Sequence, residues 1–153
     1  HTYRLDAFDS GDAGALACVE EGHVRSFRPW PDGGMEPADP IRLARFLAID
    51  ALPRVELLTS HADADGAVVR ALLKLDVPLP VRGIVVAGTG NGTVHHDLIA
   101  ALRDAQAQGV RVVVSSRCAW GRVVPHPGLA FDHSSGLSPV KARLALALDL
   151  LGA

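Results

Sequence analysis

Gly83-Ile84-Val85-Val86-Ala87-Gly88-Thr89-Gly90-Asn91-Gly92-Thr93-Val94 changes its hydrophobic period within one short stretch, and the reading of that change decides the fold. Gly83 to Ala87 is an unbroken apolar run rich in β-branched side chains, the pattern of a parallel strand covered on both faces. The glycines at 88, 90 and 92 end it. From Val94 to Gln108 the period is helical, with Val94, Leu98, Ala101, Leu102 and Ala105 on one stripe, Thr93 placed as the N-cap and Gly109 as the stop. A glycine-rich turn between a parallel strand and a helix N-terminus sits where open α/β sheets bind ligands, because free N–H groups and the helix dipole point outward there.

Working outward, strands alternate with helices. Val55 to Thr59 reads as a strand, Gly66 to Leu75 as a helix with Asp63 or Asp65 as its cap, and Val110 to Ser115 as a strand. Such alternation predicts βαβ units and a parallel sheet. A looser segment from Arg117 to Gly136 follows, with a short strand expected at Leu129 to Phe131. The last helix opens on Ser138-Pro139, and Val140, Leu144, Leu148 and Leu151 recur on the face expected to be buried. Upstream, Leu16–Val19 and His23–Phe27 flank Glu20-Glu21-Gly22 and read as a β-hairpin, and Ile41 to Leu47 as a turn or two of helix. The expected architecture is α/β: a three-layer, Rossmann-like domain with a small parallel sheet over 52–153, preceded by a β-hairpin remnant at 1–28 and a Pro/Gly-rich linker at 29–51.

Composition frames what this chain does. Its 153 residues allow one domain, or one domain with a remnant of another, and an apolar content of 48% is ample for a core. A net charge of −2 with scattered basic residues offers no electrostatic footprint for nucleic acid or an acidic membrane. No apolar run approaches the roughly 20 residues of a membrane span, and no signal peptide is visible. Opening on His1-Thr2-Tyr3 in place of Met, the chain reads as a piece of a longer protein. Its 2 cysteines, Cys18 and Cys118, are expected free and partly buried.

Several chemistries fail on their spacing. The glycine loop is G-x-G-x-G with Thr93 where the dinucleotide fingerprint needs glycine, and Val110-Arg111-Val112-Val113-Val114 brings no acidic residue for a ribose. The Gly-Lys-Ser/Thr of a P-loop is missing. His61-Ala62-Asp63-Ala64-Asp65-Gly66 opens like a calcium loop but has no bidentate glutamate at the required spacing. His95 and His96 are adjacent, so on a helix they point about 100° apart and are expected solvated, with no metal site. No G-x-S-x-G elbow activates Ser115, Ser116 or Ser134. Ser115-Ser116-Arg117 is notable for its place, since it ends the third strand on the sheet edge that carries the glycine loop.

Ala87-Gly88-Thr89-Gly90-Asn91-Gly92, then Val112-Val113-Val114-Ser115-Ser116-Arg117, then Leu137-Ser138-Pro139-Val140-Lys141-Ala142-Arg143 resemble, in this order, the C-terminal domain of bacterial L-asparaginases. Leu52-Pro53-Arg54-Val55 and Ala64-Asp65-Gly66-Ala67 are similar as well, and Phe8-Asp9-Ser10, Gly14-Ala15-Leu16 and Gly22-His23-Val24 resemble the last hairpin of that family's N-terminal domain. The resemblance implies hydrolysis of L-asparagine to L-aspartate and ammonia through a threonine acyl-enzyme, without metal, nucleotide or other cofactor. It also implies that the nucleophile and its assisting groups lie in an N-terminal catalytic domain; this chain then holds no catalytic residue and is inactive alone. In a homodimer or homotetramer the C-terminal domain completes the neighbouring subunit's pocket, which makes Thr93 and Asn91 the expected substrate-binding residues across the interface. The family's loop glutamate has no counterpart here, because Cys118 to Phe131 holds no Asp or Glu, and His126 becomes the candidate loop contributor. Nucleic acid and membrane are not expected partners, and a bacterial cytoplasm and periplasm both remain open. The rival reading is an α/β module whose glycine loop holds a small carboxylate, amide or nucleotide for regulation or assembly.

Overall fold

The structure is a computed structural model that describes residues 3, 10, 14–29, 40–128, 130–134 and 136–152. The chain divides into two compact units, His1–Asp39 and Pro40–Ala153. In the first, strands β1 (Ala17–Glu20) and β2 (His23–Ser26) pair antiparallel with Val19 opposite Val24. Glu21 and Gly22 both take positive φ, 46° and 81°, the backbone a tight right-twisted hairpin requires. The Pro/Gly-rich stretch 30–39 and the Phe8-Asp9 pair lie outside the described residues.

The second unit begins with helix α1 (Pro40–Leu47), followed by β3 (Val55–Thr59), α2 (Ala67–Lys74), β4 (Gly83–Gly88), α3 (His96–Ala107), β5 (Arg111–Ser116), β6 (Asp132–His133) and α4 (Pro139–Asp149). One parallel sheet runs in the order β3-β4-β5-β6. Every residue of β4 is buried, which is why its sequence runs apolar without alternation. Ile84 and Val86 turn to one face with Val112 and Val114, where Val69 of α2 and Leu98, Ala101, Leu102 and Ala105 of α3 cover them. Val85 turns to the other, joining Val55 and Val113 under Ala142, Leu146, Ala147 and Leu150. Helices on both faces of a parallel sheet make the three layers expected from the strand–helix alternation.

Several expectations are corrected. The short strand lies at Asp132–His133, not at Leu129 to Phe131: Phe131 is buried in the core, and β6 pairs with Val113 and Val114 just after it; Leu129 is outside the described residues. Helix α4 buries Ala142, Leu146, Ala147 and Leu150, while Val140 and Leu144 are 68% and 50% exposed. α4 is apolar nearly all round, so periodicity picks no face; Gly83 picks it, because a Cβ there would stand 2.9 Å from Leu146 Cδ2 and 3.2 Å from Leu150 Cδ1. Finally, α3 starts at His96 with His95 as its N-cap residue, not at Val94 after Thr93. Both backbone groups of Thr93 are taken by Thr89, N–H to O at 2.8 Å and O from N–H at 3.0 Å, and a residue so bridged cannot open a helix.

Neither α2 nor α4 is capped by the side chain of its N-cap residue. The N-cap of α2 is Gly66, at φ 75°, in place of the expected Asp63 or Asp65; Asp65 Oδ1 accepts from the N–H of Ala67 at 2.9 Å from just outside the helix. Ser138 and Pro139 stand at the N-cap and first position of α4 as expected, but it is the Ser138 carbonyl, not its hydroxyl, that bonds the helix, accepting from Ala142 N–H at 2.8 Å. Among the described residues no helix is long and apolar enough to cross a membrane. The assignment of the α4 face carries an expected outcome in urea unfolding of this chain. Leu146→Ala should lose about 2–5 kcal/mol of stability, and Leu144→Ala should stay within about 0.5 kcal/mol of the parent.

Candidate functional site

The carboxyl ends of β3, β4 and β5 are laced together by short polar side chains. Gly88 ends β4, and the chain turns so tightly after it that a Cβ on Gly88 would stand 2.6 Å from the Gly92 carbonyl carbon. Gly92 itself has φ +84° and presses against the side chains of Val114 and Val123, leaving no room for another carbon. The Ser116 hydroxyl, buried at the end of β5, donates to Gly90 O at 2.7 Å and accepts from Cys118 N–H at 3.1 Å. The Arg117 N–H donates to Gly88 O at 2.9 Å, and its guanidinium reaches Ser60 O at 3.4 Å. Ser60, buried at the end of β3, accepts from His95 N–H at 3.0 Å. Ser115 donates to Leu137 O at 2.7 Å, which ties the entry of α4 to the same edge.

The sequence singled out Ser115-Ser116-Arg117 by location, and these residues are the pins of the glycine loop and its neighbours. Ser60 was missed. Its signal was the Thr59-Ser60 step at the carboxyl end of β3, where a hydroxyl reaches the backbone entering α3.

The candidate binding residues have distinct placements. Thr93 is exposed, and among the described residues its hydroxyl has no hydrogen-bond partner, so it is available to a ligand. Asn91 is engaged: Oδ1 accepts from Val124 N–H at 2.5 Å and Nδ2 donates to Val124 O at 3.2 Å. Its amide therefore straps the acid-free 118–128 loop onto the glycine turn, and Val123 beneath it is 2% exposed. His126 follows in that loop, its Nδ1 accepting from Gly128 N–H at 3.2 Å. Thr93 and His126 line one cavity of about 150 Å³ with Gly92, Val94, Ile99 and Phe131 among its walls. The structure thus places Thr93 and His126 on the walls of one cavity and brings Asn91 in through the loop it holds.

Two larger clefts, of about 450 and 460 Å³, lie beside β6 and α4 and beside β3 and α2, with no residue of the 88–93 loop in either wall. Both cysteines are free; Cys18 is half-buried, and Cys118 is exposed where partial burial was expected.

Residues 54–151 match the family model of the glutaminase/asparaginase C-terminal domain. The chain belongs to this family. It is 31% identical over 148 residues to a glutaminase-asparaginase of Pseudomonas fluorescens biotype A, covering 92% of this chain and 38% of that protein. It is 34% identical over 105 residues to an L-asparaginase of Bacillus subtilis, over 67% of this chain and 27% of that one. A crystal structure of a probable cytoplasmic L-asparaginase from Campylobacter jejuni superposes with a TM-score of 0.77 at 29% identity, covering all of this chain and 46% of the other. The chain therefore spans less than half the length of these relatives. Within this domain the serine lacing should be measurable. Ser116→Ala should cost about 0.5–1.5 kcal/mol in chemical denaturation, because Gly90 O and Cys118 N–H lose their common partner but remain open to water. Asn91→Ala should speed hydrogen exchange at the Val124 amide while leaving exchange in β4 unchanged.

Proposed function

We propose that this domain serves an L-asparaginase-type amidohydrolase, hydrolysing L-asparagine to L-aspartate and ammonia, by completing the active site of a neighbouring subunit. The observation that carries this is the exposed hydroxyl of Thr93, unpartnered among the described residues, at the carboxyl edge of the sheet in a chain whose residues 54–151 match the asparaginase C-terminal family. A hydroxyl at that position donates one hydrogen bond and accepts two, suited to a polar or charged group of a small amino-acid substrate. His126, on the strapped loop, is the second proposed contact. Asn91 acts by holding that loop, not by touching substrate. The threonine nucleophile and its assisting groups belong to the N-terminal catalytic domain of the same polypeptide. Assembly as a homodimer or homotetramer is part of the proposal, supported by apolar side chains left exposed on two helices, Phe46 and Leu47 of α1 and Val140 and Leu144 of α4.

Two outcomes test this reading. The purified chain should release no ammonia from L-asparagine, because the acylation route is missing and not merely weakened; turnover abolished by Thr93→Ala would overturn the assignment of the nucleophile to another domain. In the enzyme joined to its catalytic domain, Thr93→Ala should lower kcat/KM by about five- to thirty-fold, the loss of one hydrogen bond to a polar or charged group. The same change should leave the melting temperature almost untouched, since Thr93 caps no helix, and Thr93→Asn should retain turnover. Unchanged kinetics in both variants would remove Thr93 from the pocket and favour a ligand-binding module.

A further inference from the structure

His95-His96-Asp97 would scatter two imidazoles over different faces if all three residues were helical. In the structure His95 is extended, with φ −60° and ψ 140°, and only His96 and Asp97 belong to α3. Its backbone is held on both sides: the N–H donates to the buried Ser60 hydroxyl at 3.0 Å, and the carbonyl accepts from Ile99 N–H at 2.9 Å. The extended residue lays its ring beside that of His96, with centroids 4.3 Å apart and planes 30° from parallel. The Asp97 carboxylate completes the group, 3.2 Å from His96 Nε2 and 3.9 Å from His95 Nδ1. One ligand atom from each residue lies within 4.8 Å of the other two, and no other His/Cys/Asp/Glu trio among the described residues gathers this way.

We propose that His95, His96 and Asp97 form a binding site for a divalent transition-metal ion of the zinc type. Two imidazole nitrogens and one carboxylate oxygen suit zinc and its first-row neighbours, whereas magnesium and calcium favour oxygen shells. Zinc bonds to imidazole nitrogen and carboxylate oxygen are about 2.0–2.2 Å, so tetrahedral ligand atoms stand roughly 3.4 Å apart. Reaching that spacing needs small turns of the two exposed side chains: His96 and Asp97 are free to turn, at 82% and 57% side-chain exposure, while His95, at 24%, is already held in place. The hydrogen bond that His95 Nδ1 accepts from Asp97 N–H is long, 3.4 Å, so a metal that takes the lone pair displaces little. The partial positive charge of the α3 N-terminus opposes a cation, and the Asp97 carboxylate in the first turn offsets it. Three protein ligands leave the remaining coordination to water. Such an ion would tie the residue entering α3 to its first turn, next to Ser60, and would stiffen the segment that leaves the Thr93 loop. None of this depends on the amidohydrolase reading.

Calorimetric titration of this chain with zinc chloride tests the site. The expected result is one saturable zinc per chain and a higher melting temperature with zinc, since the ion binds only the folded arrangement. His96→Ala and Asp97→Asn, both at exposed side chains, should each weaken binding by at least about tenfold, and His61→Ala should leave it unchanged. Imidazole nitrogen resonances should shift at His95 and His96 on the first equivalent. Zinc bound equally well by His96→Ala and Asp97→Asn, or first shifts at other histidines, would place the metal elsewhere and overturn the proposal. Absence of saturable binding up to millimolar zinc would reduce the trio to a hydrogen-bonded ion pair.

Discussion

The close approach of Gly88 to Gly92 is the constraint on which this domain's edge depends. The two backbones pass so near that a methyl group on Gly88 would meet the Gly92 backbone at 2.6 to 2.9 Å, and one on Gly92 would meet the side chains of Val114 and Val123 at 2.9 Å. Only a turn that tight lets Thr93 pair back with Thr89, brings Gly90 O over the Ser116 hydroxyl, and lets Val123 close against Gly92. A Cβ at Gly92 would also be strained by its φ of +84°, so local conformation and tertiary contact demand the same residue. Agreement between the two levels is what a sequence that specifies one structure is expected to show.

The buried strand β4 supplies the rigid side of this arrangement, and small hydroxyl side chains supply the rest. Ser60, Ser115 and Ser116 are themselves buried at the strand ends, and their hydroxyls find partners in the backbone of the loops that follow, as buried polar groups must. Each bonds to a segment that leaves the sheet: Ser60 to the entry of α3, Ser116 to the glycine loop, Ser115 to the approach of α4. Thr93 and His126 are thereby presented on loops that are pinned at their bases.

Much of the site was legible beforehand, because strand, glycine turn and helix follow from period and composition alone. The glycine loop, Ser115-Ser116-Arg117 and Leu137–Arg143 were visible as ordered blocks, and the 118–131 loop as a stretch without Asp or Glu. The roles inside them were not. Asn91 and Thr93 look equally available in sequence, yet Asn91 has both polar atoms bonded to the Val124 backbone, while the Thr93 hydroxyl meets no partner among the described residues. That difference arises from a loop more than thirty residues downstream, and no local pattern encodes where such a loop returns.

The sequence by itself determined the α/β class, the parallel sheet, the hairpin with its Glu21-Gly22 turn and the resemblance to asparaginase C-terminal domains. Each of these rests on short-range physics: apolar runs too uniform for a half-exposed strand, glycines where φ must be positive, and a proline at a helix start. Tertiary structure decided which side of each element faces inward and where α3 begins. In α4 nearly every face is apolar, so the missing side chain of Gly83 selected Leu146 and Leu150. At α3 the Thr89–Thr93 bridge competed with helix formation and won, because it satisfies two backbone groups where a Thr93 cap would satisfy one. His95 was left extended beside His96 as a result, and the two imidazoles that a helix would separate were brought together.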